Sequence, residues 1–376
     1  MKITVKQLKK LNNDEYILLD MREEYERESG SIPNSIPLSA EEIVENPPPD
    51  NSKKYIIYCH SGIKSVDVAA ALCANGYEAY SLEWGYVAWL YENTQSQNGE
   101  EVQKKAEHSI QTTFRKDIWS KFVKAVRDYK LVNEGDKIAV CISGGKDSML
   151  MAKCFQELKR YSKVNFEVEY LVMDPGYNAE NRKVIENNAK NLGVPIHIFE
   201  SDIFESVYHV EKYPCYLCAR MRRGHLYHYA KELGCNKIAL GHHYDDVIET
   251  ILMGMLYGAQ IQTMMPKLHS TNFAGMELIR PLYLIREHDI KRWRDYCDLN
   301  FIRCACKFTD DCTSCNNEAR SKRVEIKELI AELKKINPEV ENHIFKSVEN
   351  VNLSTIIAYK DKHGTHHFLD NYDDKE

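Results

Sequence analysis

The sequence has no long apolar run, no secretory leader and no overall excess of positive charge. No apolar stretch approaches the ~18 residues that a membrane-spanning helix needs. The start, MKITVKQLKKLNNDEYILLD, lacks the apolar core and the small-residue cleavage site of a secretory signal. We therefore expect a cytoplasmic protein with no membrane partner. The 12 cysteines then stay reduced, so metal binding or sulfur chemistry explains clustered cysteines better than disulfides do.

The negative charge is confined to one end of the chain. The net charge of the 376 residues is −6, yet the first 97 residues hold 9 basic and 15 acidic side chains, which leaves 41 of each elsewhere. A neutral body with local basic clusters can bind RNA phosphates, so the net charge does not exclude a nucleic acid partner. The acidic part predicts a separate module in a chain long enough for two or three domains.

Strands and helices alternate along most of the chain, which predicts two α/β domains. In residues 1–95, the apolar strands YILLD and KYIIYC alternate with helical patterns, whereas residues 96–112 lose apolar periodicity and indicate a linker. In residues 113–335, strands again alternate with helices, which is typical of a doubly wound, mainly parallel sheet. We interpret residues 336–376 as a C-terminal tail.

Cys59, in the segment CHSGIKS, lies between an apolar strand and a helix. Backbone N–H groups and the positive end of a helix dipole at such a junction stabilise a thiolate or an anionic persulfide. Cys59 is therefore a candidate catalytic nucleophile, although a small buried residue that ends a strand has the same pattern.

Three motifs in order, DMREEYERESGSIPNSIPLS, CHSGIKS and LEWGYVAWL, resemble the rhodanese family over about residues 3–91. The resemblance implies that Cys59 carries a transferable sulfane sulfur. The sequence departs from the family pattern at Lys64, where many members have arginine, and at Trp84, which replaces a usual glycine. Lys64 keeps the charge but loses the planar fork of a guanidinium.

The hexapeptide SGGKDS follows the strand KIAVCI and precedes a helix. Its glycines let the backbone approach a polyphosphate, N–H groups at the helix start bind anionic oxygens, and the serines add hydroxyl donors. It lacks the Gly-x-x-x-x-Gly-Lys spacing of a Walker loop. It resembles the PP-loop of the ATP pyrophosphatases, which are enzymes that split ATP between its α and β phosphates. These enzymes have an adenine nucleotide alpha hydrolase-like fold. The resemblance implies ATP binding by Ser143, Gly144, Gly145, Lys146, Asp147 and Ser148. In this fold the adenine would meet the end of the next strand, at Met173 and Asp174.

The segment GHHYDDVIET begins at Gly241, after another strand. Two histidines and two adjacent aspartates at the carboxyl end of a strand can hold Mg²⁺, orient a substrate or cap a helix. Taken singly, Asp246 is an N-cap candidate as much as a catalytic one. Because this segment and the phosphate-binding loop follow strands of the same predicted sheet, we expect Gly241 to contact ATP and Asp246 to be catalytic.

The cysteines of the second half form two clusters. One is the Cys-x-x-Cys pair of Cys215 and Cys218, and the other lies in CACKFTDDCTSC. Two such pairs can make a four-thiolate structural zinc site, which the spacing alone favours. Three thiolates with a free coordination position would suit an iron–sulfur cluster instead. The cysteines of the second cluster are Cys304, Cys306, Cys312 and Cys315.

Four motifs in order resemble the tRNA 2-thiocytidine synthetase family of PP-loop ATPases over about residues 113–355: SGGKDS, PCYLCARMRRGHLY, GHHYDDVIETILM and IRPLYLIREHDI. The resemblance implies an enzyme that uses ATP to adenylate the C2 oxygen of a cytidine, at anticodon-loop position 32 of tRNA, and replaces that oxygen with sulfur. It also implies a [4Fe–4S] cluster on Cys215, Cys218 and Cys306, with Cys304 as the competitor for the third position.

The resemblance further implies that ATP and Mg²⁺ are cofactors and that tRNA is the partner. It also implies a relay in which sulfur passes from a Cys59 persulfide to the open iron of the cluster and then to C2. The basic side chains of Arg220, Arg222 and Arg223 would contact tRNA; an exposed helix face with ion pairs is the alternative. The sulfur donor would be a cysteine desulfurase or a small persulfide, and the sequence leaves a homodimer open.

Two departures from the synthetase pattern are evident. Cys312 and Cys315 are separated in sequence from Cys306. Their possible roles are therefore binding a separate metal, relaying sulfur, or serving as buried thiols. The attached rhodanese-like module is not part of the core family plan, but a short flexible tether would raise the effective concentration of sulfur carrier to roughly millimolar. Rival interpretations are a PP-loop thiolase of another tRNA base or a small heterocycle, and a non-catalytic metal-bearing module that binds tRNA or senses sulfur.

Overall fold

The computed structural model describes most of the chain as two compact units. The first unit comprises the described residues of Met1–Tyr244 and Met265–Glu318, and the second those of Asp245–Met264 and Ala319–Glu376. No helix within the described ranges is long and apolar enough to cross a membrane. The described residues are 1–27, 30–47, 52–201, 203, 214–302 and 319–372.

The first unit begins with a sheet of five parallel strands in the order β1-β5-β4-β2-β3. Its central strands are apolar because helices cover both faces of a parallel sheet. The strands are β1 Lys2–Ile3, β2 Tyr16–Asp20, β3 Ile36–Pro37, β4 Lys54–Tyr58 and β5 Ala79–Leu82. The helices are α1 Val5–Leu8, α2 Glu24–Arg27, α3 Ala40–Glu45, α4 Lys64–Ala74 and α5 Gly85–Ser96.

The segment between the two sheets is helical. Residues 96–112, predicted to be a linker without periodic structure, contain helix α6 Gly99–Gln111, which buries Ala106, Ser109 and Ile110. A single turn of π-helix, Arg115–Trp119, then leads into α7 Ser120–Asp128. The expectation that this segment lacks periodic structure was wrong, because many charged residues on the exposed side of α6 mask a narrow apolar stripe.

A second sheet of six strands completes the first unit, in the order β10-β11-β9-β6-β7-β8. All neighbours are parallel except β10 and β11. The predicted doubly wound α/β fold is therefore confirmed. The strands are β6 Lys137–Ile142, β7 Glu167–Asp174, β8 Ile196–Glu200, β9 Lys237–Ala239, β10 Lys267–His269 and β11 Glu277–Ile279. The associated helices are α8 Lys146–Tyr161, α9 Ala179–Asn191, α10 Pro214–Glu232, α11 Tyr244–Gly258 and α12 Glu287–Tyr296.

The second unit contains nearly all of α11 and two further helices, α13 Ala319–Ile336 and α14 Val340–Ser347. The predicted C-terminal tail therefore has regular structure. After α14 come a turn of 3-10 helix at Leu353–Thr355, an antiparallel hairpin and a second 3-10 turn at Phe368–Asn371. The hairpin strands are β12 Ala358–Asp361 and β13 Gly364–His367.

Candidate functional site

Cys59 lies in the loop between β4 and α4, as predicted. Its side chain is buried, and the Gly62 N–H donates a hydrogen bond to its Sγ at 3.1 Å. The Ser65 hydroxyl lies 3.5 Å from the same sulfur and 2.9 Å from the hydroxyl of Ser81. A backbone N–H and a hydroxyl directed at one sulfur would stabilise negative charge on a thiolate or a persulfide.

The segment LEWGY supports this loop through its backbone. The Tyr86 N–H donates to the Cys59 carbonyl at 3.0 Å. Gly85 has φ +54°, and a Cβ built there would lie 2.3 Å from the Cys59 carbonyl oxygen, so only glycine fits. Trp84 is left-handed at φ 59° and 59% exposed. Lys64 is also exposed, so both departures from the rhodanese pattern face solvent.

A buried ion pair fastens the first rhodanese-like motif. Arg22 Nη2 lies 2.6 Å from Asp20 Oδ2, and both side chains are 1% exposed. The Tyr58 hydroxyl donates to the same carboxylate at 2.6 Å, and the Arg22 guanidinium stacks over the Tyr86 ring at 3.8 Å. This network joins β2, the end of β4 and the start of α5. It is structural, and no sequence pattern reveals its partners.

The SGGKDS segment forms a tight turn from β6 into α8. Gly144 has φ +84°, and a Cβ built there would lie 2.6 Å from Ile185 Cγ1. The Ser143 N–H donates to the Ser148 hydroxyl at 3.2 Å, and that hydroxyl donates to the Gly145 carbonyl at 3.0 Å. The loop is thereby closed on itself at the N-terminus of a helix, the arrangement that binds phosphate oxygens.

Opposite charges meet at the start of α8. Lys146 Nζ lies 3.1 Å from both Asp147 Oδ2 and Glu287 Oε1. Burial acts to lower the pKa of Lys146, but the two carboxylates outweigh it and raise that pKa above its ordinary value, so the side chain is a fixed cation. The other oxygen of Asp147, Oδ1, is buried without a hydrogen-bond partner among the described residues and lies 4.0 Å from His243 Nε2.

Two predicted ATP contacts lie beside the loop. In the sheet Ile142 pairs with Val172, so Met173 at the end of β7 is level with Ser143. The Met173 side chain is buried in a cluster with Ile203. A Cβ built on Gly241 would lie 3.2 Å from the Ser148 nitrogen, so this position must be small to pass the loop.

Asp174 orders the turn after β7. It is buried, and one carboxylate oxygen accepts hydrogen bonds from the N–H groups of Gly176 at 2.9 Å and Tyr177 at 2.6 Å. The other oxygen pairs with Arg182 Nη1 at 3.3 Å. The side chain thus shapes the strand end where adenine was predicted to bind.

Asp246 is placed in the second unit, in the first turn of α11. Its Oδ1 lies 3.0 Å from Arg323 Nη2, and the same guanidinium binds Glu249 at 2.6 Å. Burial raises the pKa of Glu249, and the Arg323 charge opposes that rise. The structure thus shows Asp246 in an ion pair within this unit. The catalytic role of Asp246 stays a prediction.

Helix α10 contains the stretch YPCYLCARMRRG from position 214 onward. Arg220 and Arg223 are exposed and three residues apart, hence on one side of the helix, whereas Arg222 is partly buried and points elsewhere. Positions 215 and 218 fall within one helical turn. The predicted third ligand, Cys306, and its neighbours Cys304, Cys312 and Cys315 lie outside the described residues.

The described cysteines other than Cys59 have structural environments. Burial raises the pKa of Cys141 to about 12 and that of Cys235 to about 11, so both thiols stay protonated. Cys154 and Cys297 are also buried with raised pKa values. No group of three or more candidate metal ligands occurs within the described ranges. Among the described cysteines, Cys59 is therefore the one whose sulfur accepts a hydrogen bond from a backbone N–H.

Comparison with protein families assigns both domains. A rhodanese-like domain matches residues 4–92, and a PP-loop domain matches residues 112–333, more than half of the chain. The first match contains Cys59 and the second contains the SGGKDS turn.

Individual relatives agree with this assignment. The tRNA-cytidine(32) 2-sulfurtransferase of Alcanivorax borkumensis is 36% identical over 233 residues, which cover 61% of this chain and 78% of that protein. The protein of the same name from Acaryochloris marina is 36% identical over 236 residues, covering 62% of this chain and 80% of that protein.

Among solved structures, the U34-tRNA thiolase NcsA from Methanococcus maripaludis with its [4Fe–4S] cluster is similar. It aligns with a TM-score of 0.48 at 21% identity and covers 69% of this chain and 82% of that one. From the family matches and the coverage of the two sulfurtransferases, the chain belongs to the tRNA-cytidine(32) 2-sulfurtransferase family of PP-loop ATPases and carries a rhodanese-like domain before its PP-loop domain.

Proposed function

We propose that the protein is an ATP-dependent tRNA sulfurtransferase that thiolates C2 of the cytidine at anticodon-loop position 32. The observation that carries the proposal is that one compact unit holds both a pyrophosphate-binding turn and a cysteine set up to carry sulfur, in a chain of the sulfurtransferase family. The turn binds the ATP that converts the C2 oxygen into a leaving group, and the cysteine supplies the sulfur that replaces this oxygen.

ATP binds at the turn between β6 and α8. The N–H groups in the first turn of α8 receive the phosphate oxygens, and the raised pKa of Lys146 keeps a cation beside them at neutral pH. The buried Asp147 Oδ1, which has no hydrogen-bond partner in the described part of the chain, fits a cation ligand. Mg²⁺ bound there would neutralise charge on the pyrophosphate.

The adenylation and thiolation steps balance without further protein groups. The C2 oxygen of the base attacks the α-phosphorus of ATP, and pyrophosphate leaves. Hydrosulfide then attacks C2, and AMP leaves with the oxygen. A Cys59 persulfide holds its outer sulfur at the sulfane level, so release of that sulfur as hydrosulfide takes two electrons, which an external dithiol supplies as it becomes a disulfide.

A [4Fe–4S] cluster would be held by Cys215, Cys218 and Cys306. The fit is supported by positions 215 and 218, which fall within one helical turn and so can serve one cluster. Bound by three thiolates, the cluster supplies an iron with an open coordination position. Zinc on Cys-x-x-Cys pairs is the alternative, and metal analysis after anaerobic purification separates the two.

The tRNA would lie along the exposed side of α10. Arg220 and Arg223 are exposed on one side of this helix and can contact backbone phosphates. A cysteine desulfurase or a small persulfide would load Cys59, whose loop is bordered by the exposed side chains of Ile63 and Trp84.

The test is turnover by the full chain, purified without oxygen and supplied with Mg²⁺, ATP, a persulfide donor and a dithiol. We expect release of AMP and pyrophosphate that depends on tRNA, with one thiolated nucleoside formed for each AMP. ATP cleavage without tRNA dependence would contradict the proposal. A thiolated nucleoside other than 2-thiocytidine would favour the rival, a PP-loop thiolase of another base.

A further inference from the structure

Three side chains of α9 form a line that contacts the phosphate-binding turn, the chain before the cysteine-bearing segment and the rhodanese-like domain. Ile185, Asn188 and Asn191 are three residues apart, so they lie along one side of the helix. All three are buried. We call them the α9 line.

The first member, Ile185, packs against the phosphate-binding turn. A Cβ on Gly144 would lie 2.6 Å from Ile185 Cγ1 and 3.1 Å from Ile302 Cδ1. The turn is therefore seated directly on α9 and on Ile302, the last described residue before the cysteine-bearing segment.

The second member, Asn188, holds the chain that leads into that segment. Its Nδ2 donates to the Asn300 carbonyl at 2.8 Å, and the side chain is fully buried. Asn300 also approaches the rhodanese-like domain, since a Cβ on Gly30 would lie 4.0 Å from Asn300 Oδ1. The stretch 298–302 is thus held between the two domains.

The third member, Asn191, holds the rhodanese-like domain itself. Its Nδ2 donates to the Thr94 carbonyl in α5 at 2.8 Å and lies 3.4 Å from Gln97 Oε1. Gln97 Nε2 in turn donates to the Asp298 carbonyl at 2.7 Å. Asn191 and Thr94 are both buried, so the hydrogen bond between them is made away from water.

The connection between the domains gives little freedom to move. Helix α6 follows α5 directly, and its Glu107 binds the fully buried Lys153 of α8 at 2.8 Å. A Cβ on Gly193, at the end of α9, would lie 2.3 Å from Gln103 Oε1. The two domains are therefore joined by a packed helix and not by the flexible tether that the sequence suggested.

We infer that sulfur transfer from Cys59 depends on fixed docking of the rhodanese-like domain on α9, and that Asn191 is a positioning residue for this transfer. The inference rests on the proposed function. Asn191 touches no reacting atom. It holds α5, whose first turn supports the Cys59 loop through the Tyr86 N–H, and it is aligned with the residues that seat the phosphate-binding turn.

The test compares Asn191→Ala with Asn187→Ala, a matched control on the same helix whose Nδ2 has no hydrogen-bond partner among the described atoms. Four quantities are measured: sulfur transfer from thiosulfate to cyanide, the Kd of ATP, tRNA thiolation with sulfur loaded on Cys59, and tRNA thiolation with free sulfide, which bypasses Cys59.

In Asn191→Ala, only thiolation with Cys59-borne sulfur should fall, by about tenfold or more, because a small misplacement of reacting groups has effects of this size. The other three quantities should stay within about twofold of wild type, because the hydrogen bonds of the Asn191 side chain reach Thr94 and Gln97 and not the Cys59 loop or the phosphate-binding turn. The control should match wild type in all four. An equal loss with sulfide, or no loss with Cys59-borne sulfur, would overturn the inference.

Two further measurements keep the inference testable on its own. If Asn191→Ala does not fold, Gln97→Ala removes the neighbouring docking contact at a less buried position and should show the same selective loss. Hydrogen–deuterium exchange of α5 amides should be faster in either variant, and unchanged exchange contradicts docking. If wild type thiolates no tRNA with either sulfur source, the proposed function fails, and the exchange result still decides the docking.

Discussion

Single glycines set the geometry of both reactive turns. Gly85 lets α5 approach the Cys59 carbonyl, and Gly144 lets the phosphate-binding turn lie on Ile185. Both have left-handed backbone, where a side chain costs roughly 1 kcal/mol even in open space. The close neighbours add a steric cost to this.

Gly144→Ala should weaken ATP binding by about tenfold or more, because the added Cβ displaces the turn that binds phosphate. Isothermal titration with a slowly cleaved ATP analogue measures this. The matched control is Gly135→Ala, which has φ +78° but no neighbour within 4 Å of its Cβ. It should lose roughly 1 kcal/mol of unfolding free energy and bind the analogue normally. Equal affinities for all three proteins would contradict the assignment of the turn.

Cys59→Ala should reduce thiosulfate-to-cyanide sulfur transfer to background, because the sulfur-carrying atom is gone, while the Kd of ATP stays unchanged. Cys73→Ala serves as the control, since Cys73 is a partly buried thiol that donates to the Ala79 carbonyl at 3.3 Å. Residual transfer in Cys59→Ala above that of a heat-inactivated sample would show that another group carries sulfur.

At the residue scale, motif chemistry could be predicted from sequence and long-range partners could not. The SGGKDS and CHSGIKS turns have the expected strand-to-helix context because the local pattern determines it. The partner of Asp246, Arg323, is distant in sequence, and so is Glu287, which binds Lys146. Such pairs arise from tertiary packing, and a single sequence contains no signal for them.

Among the elements, the β2 and β4 strands are joined by a buried charge network. Arg22→Met should lower the unfolding free energy by about 3–5 kcal/mol, because it leaves the Asp20 carboxylate buried without its cation. Urea denaturation followed by fluorescence measures this. Arg22→Met combined with Asp20→Asn should recover much of the loss, since the uncompensated charge is removed. A double variant as unstable as the sum of both single changes would contradict this explanation.

The contact between α6 and α8 predicts a pH dependence of stability. Burial acts to raise the pKa of Glu107, but hydrogen bonds from Arg160, Lys153 and Gln103 outweigh it and lower that pKa to about 2 from an ordinary 4.5. A depressed pKa in the folded state gives stability that is complete above pH 4.5 and is lost as the pH falls from 4.5 towards 2.

Glu107→Gln should therefore flatten the decline of unfolding free energy between pH 5 and 2, a window that follows from the same pKa. Chemical denaturation at several pH values measures the slope. Glu101→Gln, at an exposed position of the same helix, is the control and should keep the wild-type slope. Identical slopes for wild type and Glu107→Gln would contradict the depressed pKa.

The element scale also shows where sequence patterns mislead. Strands β6 and β7 and helices α8 and α9 follow their apolar periodicity closely. Helix α6, with the sequence GEEVQKKAEHSIQ, has few apolar positions, so the local pattern predicts no periodic structure there. Its burial comes from packing against α8 and α9, and such tertiary contacts override a weak local pattern.

At the scale of the whole molecule, the acidic first part of the chain shares one compact unit with the second sheet. The core runs without a break from Tyr86 and Leu90 through Ile110 of α6 to Val140 and Val184. The separate module predicted from charge is thus a domain with its own sheet that shares a core with its neighbour. The charge difference indicated a distinct first domain, but it contained no information on the docking.

The whole chain is proposed to thiolate C2 of a tRNA cytidine. The most direct measurement is mass spectrometry of tRNA nucleosides from a strain that lacks this protein, with and without the gene restored. We predict that 2-thiocytidine disappears in its absence, returns with the wild-type gene and returns in a smaller amount with a Gly144→Ala gene. Unchanged 2-thiocytidine in the deletion strain, together with an unchanged set of all other thiolated nucleosides, would contradict the account.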